Sequence, residues 1–319
     1  MSQRYKVFYM IHAPAVFPLI QSQCPEEFDL LFWETGKEDE MWEKLRQSDF
    51  VISSHIGEEH LKAAPRLRLI QHPGVGYDGV DMAAAARAGI PVALTPEGTI
   101  VGVAEHTILL ILSLYKKLLI ADRATRRGEW VSSTLRTECY FLQGKALGII
   151  GLGRIGQEVA KRASCFGVKM AYYDVMRPKP EVEAQLKVVY LPLDDLLRIS
   201  DIVTLHTPLT SQTHHLIDDK RLSLMKPSAI LINTSRGRVV DEMSLIRALR
   251  EGRIAGAGLD VFDPEPPKPD NPLFGMENVV LTPHMATGTV DAMTEKARAA
   301  FANMQRVLRG EEPLHLVKV

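Results

Sequence analysis

The chain has 319 residues, 46% hydrophobic and 24% charged, a globular composition with enough length for two domains rather than one core. A formal net charge of −1 leaves no electrostatic footprint for nucleic acid or an anionic membrane surface, so neither is expected as a partner. Cys24, Cys139 and Cys165 are odd in number, far apart and in no metal-like spacing, which points to a reduced, cytoplasmic setting and to no metal site.

The segment "MSQRYKVFYMIHAP" lacks the charged start, apolar run and cleavage site of a signal peptide. From there strand-like and helix-like stretches alternate. "KVFYMI" reads as a strand, "MWEKLRQS" as an amphipathic helix, "DFVISS" as a strand, "EEHLKAAP" as a helix and "LRLIQH" as a strand. "VDMAAAARAG" is a helix stopped by Gly89, and "IPVALT" is a strand. Such alternation predicts a parallel α/β sheet, so this first region is a domain in its own right.

A long apolar helix is expected from roughly Ile100 to Leu119. Its core "TILLILSLYKKLLI" is preceded by Glu105 and His106 and interrupted by Lys116 and Lys117, well short of the ~20 apolar residues that span a bilayer. A buried helix is the better reading. The polar stretch "RATRRGEWVSSTLRTECYFLQG" follows. Alternation then resumes with "VKMAYYD", "DDLLRIS", "DIVTLHT", "DKRLSLMKP", "AILINTS", "MSLIRALREG", "IAGAGLDVF" and "NVVLTPH". A last helix, "VDAMTEKARAAFANMQRVLRG", has no sheet of its own to cover. It is expected to return to the first domain. The organisation predicted is therefore a substrate domain (residues 1–99), an inserted nucleotide-binding domain (100–286) and a returning piece of the first domain (287–319). The crossings near residues 100 and 287 would then act as hinges around a cleft.

"KALGIIGLGRIGQEVA" carries Gly151, Gly153 and Gly156 between a strand and a helix, the dinucleotide-binding spacing. Gly151 permits the tight turn, Gly153 the approach of backbone to a pyrophosphate, and Gly156 close packing of helix on strand. The helix beginning near Arg154 turns free N–H groups toward the phosphates. Asp174 ends the next strand, 21 residues after Gly153, where a carboxylate accepts from ribose hydroxyls. Its charge disfavours a 2′-phosphate, which Arg177 could partly offset, so NAD is expected over NADP.

Moving a hydride between a carbinol and a carbonyl also requires a proton carrier with a pKa near neutrality. His284 in "LTPHMATG" follows a strand of the nucleotide domain, at the end that faces the cleft. Glu265 in "DPEPP" is a candidate to fix its tautomer. Arg236 in "NTSRGR" suits a carboxylate clamp, because guanidinium binds carboxylate bidentately.

"GLGRIGQEVA", "LHTPLT", "LINTSRGRVVDEMSLIRALREGRIAGAGLDVF", "DPEPP" and "NVVLTPH", in this order, closely resemble the D-isomer-specific 2-hydroxyacid dehydrogenases. That family includes D-lactate, D-glycerate, glyoxylate/hydroxypyruvate and 3-phosphoglycerate dehydrogenases. The resemblance runs from "HPGVGYDGVD" (72–81) to "PHMATGT" (283–289). It implies a Rossmann-type nucleotide-binding domain inserted into a flavodoxin-like α/β substrate domain, and NAD(H)-dependent interconversion of a 2-oxo acid and its D-2-hydroxy acid. The catalytic set it implies falls on Arg236, Glu265 and His284. It further implies that the Val75 and Gly76 amides meet the substrate carboxylate and that Asp260 lies beside the nicotinamide carboxamide. Arg154, Ile155, Asp174, Thr207, Thr234, Ser235, Arg236 and His284 would run along the dinucleotide. A homodimer is implied too, with the long helix and the "RRGEW" arm at its interface.

This sequence departs from the usual pattern at Thr99, where Asn is common, and at Ala286, where Gly is common. The regulatory extension of the longer phosphoglycerate dehydrogenases is expected to be absent. Other histidines have plainer readings. His106 is expected to be structural, His206 to line the adenine side or pack there, and His214 and His215 to be solvated or structural. His55 in "SSHIG" is a weak candidate for tuning specificity, and Arg123, Arg126 and Arg127 suit a surface or dimer feature. A reading from a different class is a non-enzymatic NAD(H)-sensing module, because C-terminal-binding corepressors share the fold and the triad. Against it stand the lack of long disordered tails and of a basic face. Formate dehydrogenases typically carry Gln where Glu265 stands, and phosphite dehydrogenases keep the triad.

Overall fold

Five short apolar runs form one parallel sheet in a computed structural model that describes residues 4–318; the first three residues of the amino-terminal segment lie outside it. The strands are β1 (Tyr5–Tyr9), β2 (Phe28–Phe32), β3 (Phe50–Ile52), β4 (Leu69–His72) and β5 (Val92–Leu94). Between them lie α1 (Phe17–Gln21), α2 (Glu38–Arg46), α3 (Glu58–Ala63) and α4 (Met82–Arg87). The strand order is β2-β1-β3-β4-β5 and every pairing is parallel. Phe50, Val51, Leu69 and Ile70 are fully buried at its centre, as continuous apolar strands covered on both faces must be.

The second unit opens with α5 (Thr99–Tyr115), α6 (Leu118–Arg126) and α7 (Ser132–Leu135). Its strands are β6 (Ala146–Ile150), β7 (Lys169–Tyr173), β8 (Val188–Tyr190), β9 (Ile202–Leu205), β10 (Ile230–Asn233), β11 (Gly256–Leu259) and β12 (Val279–Leu281). The helices between them are α8 (Arg154–Ser164), α9 (Pro180–Leu186), α10 (Leu193–Ile199), α11 (Asp219–Leu222) and α12 (Glu242–Arg250). The seven strands run β12-β11-β10-β9-β6-β7-β8, all parallel. Order reverses on either side of β6, where the glycine loop lies, which is a topological switch point. The last helix, α13 (Val290–Leu308), buries Ala297, Ala300, Phe301 and Met304 with Val7, Phe50 and Leu69 of the first sheet.

By contacts along the chain, residues 1–99 with 287–319 form one compact unit and residues 100–286 the other. The apolar helix is shorter than expected. It stops at Tyr115, Lys117 adopts a left-handed φ of 51°, and α6 starts again at Leu118 and runs on into the polar stretch. The adjacent lysines mark that break. α5 packs against the second unit's own sheet: a Cβ on Gly258 would sit 3.0 Å from Leu110, so the small residues of "GAGL" admit the helix. Among the described residues no helix is long and apolar enough to cross a membrane. The elements without a sequence expectation are α1, β2, α7, α9 and β8. β2 and β8 are edge strands, only partly buried, so their apolar signal is weak.

Candidate active site

The second unit's chemistry gathers at the carboxyl ends of its parallel strands. After β6, Gly151 has φ +93°, and a Cβ there would meet the His206 backbone at 2.8 Å. A Cβ on Gly156 would fall 2.1 Å from the Gly151 carbonyl oxygen, which is the close helix–strand approach the third glycine serves. Above Gly153, by contrast, nothing lies within 4 Å of such a Cβ, so the loop faces open space at the start of the eleven-residue helix α8. Arg154 and Ile155 form its first turn. Free N–H groups at that end suit a pyrophosphate.

Asp174 follows β7 and holds this loop from the side. Its Oδ2 accepts from the Leu152 amide at 2.7 Å and its Oδ1 from the Met176 amide at 3.0 Å. Arg177 turns away to Glu183 at 2.9 Å and lies over the Tyr190 ring. At the end of β9 the Thr207 hydroxyl is buried with no hydrogen-bond partner, an acceptor and donor awaiting a ligand. His206 beside it donates its backbone N–H to Ile150, and its ring reaches Thr204 at 3.0 Å while Nδ1 is buried unpaired. Burial drives its pKa down to about 3, so the ring is neutral. An open glycine cradle, a helix amino terminus and an orphaned hydroxyl fit a dinucleotide.

The turn after β10 is closed by the buried Asn233. Its Oδ1 accepts from the amide and hydroxyl of Ser235, and its Nδ2 donates to the Arg236 carbonyl. Thr234 bonds Thr107 of α5 at 3.1 Å. Arg236 Nη1 donates to the Ser235 carbonyl at 2.8 Å. A Cβ on Gly237 would lie 1.8 Å from the Phe262 carbonyl oxygen, so this turn touches the loop after β11 backbone to backbone.

That second loop carries Glu265, whose Oε1 accepts from the Phe262 amide at 2.9 Å and whose Oε2 meets His284 Nδ1 at 2.7 Å. Burial alone would raise the Glu265 pKa. The His284 hydrogen bond, the Phe262 amide and the nearby charges of His284 and Arg236 outweigh it and hold the carboxyl below its ordinary value. His284 moves the other way: the Glu265 hydrogen bond raises its pKa, opposed by burial and by Arg236 and assisted by the charges of Glu265 and Asp260. The imidazole side chain is half exposed, so a ligand can reach it.

Asp260, only 1% exposed, organises the segment after β12. Its carbonyl accepts from the His284 amide at 2.8 Å. Its carboxylate accepts from the Met285 and Ala286 amides at 2.9 and 3.0 Å and from the Thr282 hydroxyl at 2.6 Å. Thr282 in turn meets the buried His106 of α5 at 2.8 Å. Thus Asp260 is fully engaged with the loop carrying His284, a role the reading of it as a nicotinamide neighbour did not include. Thr282 was missed altogether; its only sequence signal is a polar residue closing an apolar strand.

The chain matches the family description "D-isomer specific 2-hydroxyacid dehydrogenase, NAD binding domain" over residues 108–286. It is 40% identical over 304 residues to a glyoxylate reductase of Korarchaeum cryptofilum, covering 93% of this chain and 91% of that one. The chain belongs to this family. A glyoxylate reductase of Thermococcus litoralis is 41% identical, with 95% and 96% of the two chains covered. Among solved structures, the TT0316 protein of Thermus thermophilus superposes with a TM-score of 0.86 at 36% identity, over 99% of this chain and 100% of that one. As a member of the family the protein is an oxidoreductase acting on 2-oxo and 2-hydroxy acids, and residues 108–286 are its NAD(P)-binding domain.

The remaining candidates lie elsewhere. Val75 and Gly76 belong to the loop after β4 in the first unit, half-buried, beside the Gly74 carbonyl that accepts from the Thr95 amide. Thr99 is buried, with its hydroxyl on the Thr95 carbonyl. His55 is exposed and packs by Gly79. His214 and His215 stack on each other, and among the described residues no group of three or more His, Cys, Asp or Glu is arranged to hold a metal ion. Arg126 and Arg127 pair with Asp122 and Glu129 at the surface.

Proposed function

We propose that this enzyme reduces a small 2-oxo acid, with glyoxylate as the minimal member, to the 2-hydroxy acid of D configuration where a stereocentre results, using NADH. The observation that carries the reading is the 2.7 Å His284–Glu265 pair at the strand ends that also hold Arg236 and the dinucleotide cradle. Relatives named glyoxylate reductase, at 40–41% identity over nearly the whole chain, support the substrate class. A nicotinamide supplies the hydride when bound. The chain's own residues do the rest. Arg236 binds the substrate carboxylate, assisted by the Val75 and Gly76 amides, and its charge orients the acid. Protonated His284 donates its Nε2 proton to the carbonyl oxygen as the hydride reaches the carbon, and takes it back in the oxidative direction. Glu265 remains a carboxylate throughout. It fixes the tautomer through Nδ1 and stabilises the imidazolium.

Gly151, Gly153, Arg154, Ile155, Gly156, Thr207, Thr234, Ser235 and Asp260 are proposed to line the cofactor. Asp174 and Arg177 support NADH over NADPH. A 2′-phosphate near Asp174 would meet a fixed carboxylate, and the Arg177 guanidinium is committed to Glu183. The test is oxidation of NADH and NADPH against glyoxylate, hydroxypyruvate, pyruvate, phenylpyruvate and branched-chain 2-oxo acids. Turnover with NADH and a member of this panel supports the reading. Silence across the panel with tight NADH binding overturns it in favour of a sensing role. A homodimer is proposed from exposed apolar side chains of the second unit, among them Leu109, Leu118, Trp130 and Phe141.

A further inference from the structure

The segment after β7 carries a cation close behind its acid, and the fold keeps that cation occupied. Glu183 of α9 is what occupies it. Its Oε1 accepts from the Tyr172 hydroxyl, from Arg177 Nη2 at 2.9 Å and from Arg177 Nε at 3.3 Å. Tyr172 is a fully buried residue of β7, so the carboxylate is anchored to the sheet. The guanidinium also lies over the Tyr190 ring of β8, 4.7 Å from its centroid. Tyr190 in turn packs edge-on against Tyr172, with centroids 5.6 Å apart. All of these residues belong to the second unit.

An exposed ion pair standing alone in water contributes little, because two long side chains lose freedom to keep it. This pair does not stand alone. Glu183 is only 18% exposed, its second donor belongs to the core, and the aromatic face beneath the guanidinium attracts a cation. The Tyr172 hydrogen bond and then those of Arg177 hold the Glu183 carboxyl below its ordinary range, so it is charged at neutral pH. Arg177 is otherwise within reach of the ribose that Asp174 would meet. Three residues of extended chain span at most about 11 Å, and the turn closed by Asp174 Oδ1 on the Met176 amide shortens that. Guanidinium binds phosphate bidentately, so a released Arg177 would offset the repulsion from Asp174. The charge of Asp174 alone therefore does not decide between the two dinucleotides.

We propose that Glu183 is a positioning residue for cofactor specificity: with Tyr172 and Tyr190 it latches Arg177 away from the 2′ position of the adenosine ribose and so disfavours NADPH. This rests on the reading above, in which Asp174 faces that ribose and NADH is the reductant. NADH brings no charge to the 2′ position, so releasing Arg177 changes its affinity little. NADPH brings a phosphate there and gains a charge-assisted pair from the same release.

The experiment measures the dissociation constants of NADH and NADPH by fluorescence titration, so it needs no turnover. It compares the wild type with Glu183→Ala, Glu183→Gln, Arg177→Gln and the double variant Arg177→Gln/Glu183→Ala. Glu183→Ala should raise NADPH affinity relative to NADH about 10-fold. Glu183→Gln keeps the shape of the side chain and guards against a misfolded alanine variant; its gain should be smaller, because an amide still accepts from Arg177. Arg177→Gln alone should leave the ratio within about twofold of the wild type, because its guanidinium is already withdrawn, and in the double variant the gain should vanish. A gain that persists in the double variant overturns the assignment, since removal of a negative charge would then explain it without Arg177. A ratio unmoved in both Glu183 variants overturns it too. If the wild type binds NADPH more tightly than NADH, the cofactor reading fails and takes the latch with it. A wild type that prefers NADH, with the ratio unmoved in the Glu183 variants, sinks the latch alone.

Discussion

His284 has φ 49°, a left-handed backbone that few residues with a Cβ adopt, though histidine does so more readily than most. It persists because Asp260 grips its amide with a carbonyl and the next two amides with a carboxylate, so the imidazole is delivered to Glu265 in a single orientation. Replacing His284 by Ala should lower kcat for 2-oxo acid reduction by about 10²–10⁴-fold. NADH affinity, measured by fluorescence titration, should stay near that of the wild type; retained turnover would remove His284 from proton transfer. The pair also sets the pH profile. Because the Glu265 hydrogen bond raises the His284 pKa, the imidazolium needed for reduction survives to higher pH, and kcat/KM for reduction falls as pH rises through that raised value. Glu265→Gln removes the charge and moves the falling limb to lower pH; an unmoved limb would show that another group titrates. Lys296 on α13 shifts the opposite way, because its stem is largely covered and burial lowers its pKa to about 8. A drop from 10.5 to about 8 corresponds to roughly 3 kcal/mol as an upper figure, so Lys296→Met should raise the denaturation midpoint at neutral pH.

At the scale of elements, the site is made by loops pressed against one another and pinned from behind. Consecutive residues of α5 do the pinning: Thr107 bonds Thr234 in the turn before Arg236, and His106 bonds Thr282 just before His284. From α12, Glu242 accepts from the Asp263 amide and from Asn271, holding the loop that carries Glu265. Gly237 is where the two loops meet. With a Cβ placed 1.8 Å from the Phe262 carbonyl, Gly237→Ala must part the Arg236 turn from the Glu265 loop. Its cost is roughly 1–3 kcal/mol or more. The expected result is a raised KM for the 2-oxo acid together with a lower melting temperature, and wild-type values for both would mean the loops can slide apart freely. These contacts also mark how far the sequence could be read. Strand–helix alternation and glycine spacing are local signals, so the α8 cradle and every strand of the two sheets except the edge strands β2 and β8 were legible. His284, Glu265 and Arg236 could be named because each follows a strand of the same unit. Asp260 as a hub, Thr282 beside His106, and Gly237 against Phe262 depend on pairs 22 to 176 residues apart, which no local pattern encodes.

At the scale of the molecule, the nucleotide unit interrupts the first unit in sequence, and α13 returns to the first unit's sheet, where Phe301 stacks on Phe28. The second unit keeps apolar side chains in water that its own core does not use. Val101 and Leu109 of α5 are 46% and 50% exposed, Leu118 and Leu119 of α6 are 49% and 43%, and Trp130 is 84% exposed. Beside them Leu119, Arg123, Tyr140 and Glu277 line a concavity. Scattered exposed leucines need no explanation, but several leucines on α5 and α6 and a tryptophan in the loop after α6 form a surface of the kind buried between subunits. An obligate dimer that covered it would leave little folded monomer at low concentration. Trp130→Asp combined with Leu118→Asp puts two charges on that surface without touching any residue of the catalytic set. Light scattering after gel filtration should then change from the mass of two chains to that of one, while the unaltered protein stays at two. If the unaltered protein elutes as a monomer, these side chains are simply exposed and the homodimer is withdrawn. If the double variant stays dimeric, the contact lies on another face of the molecule.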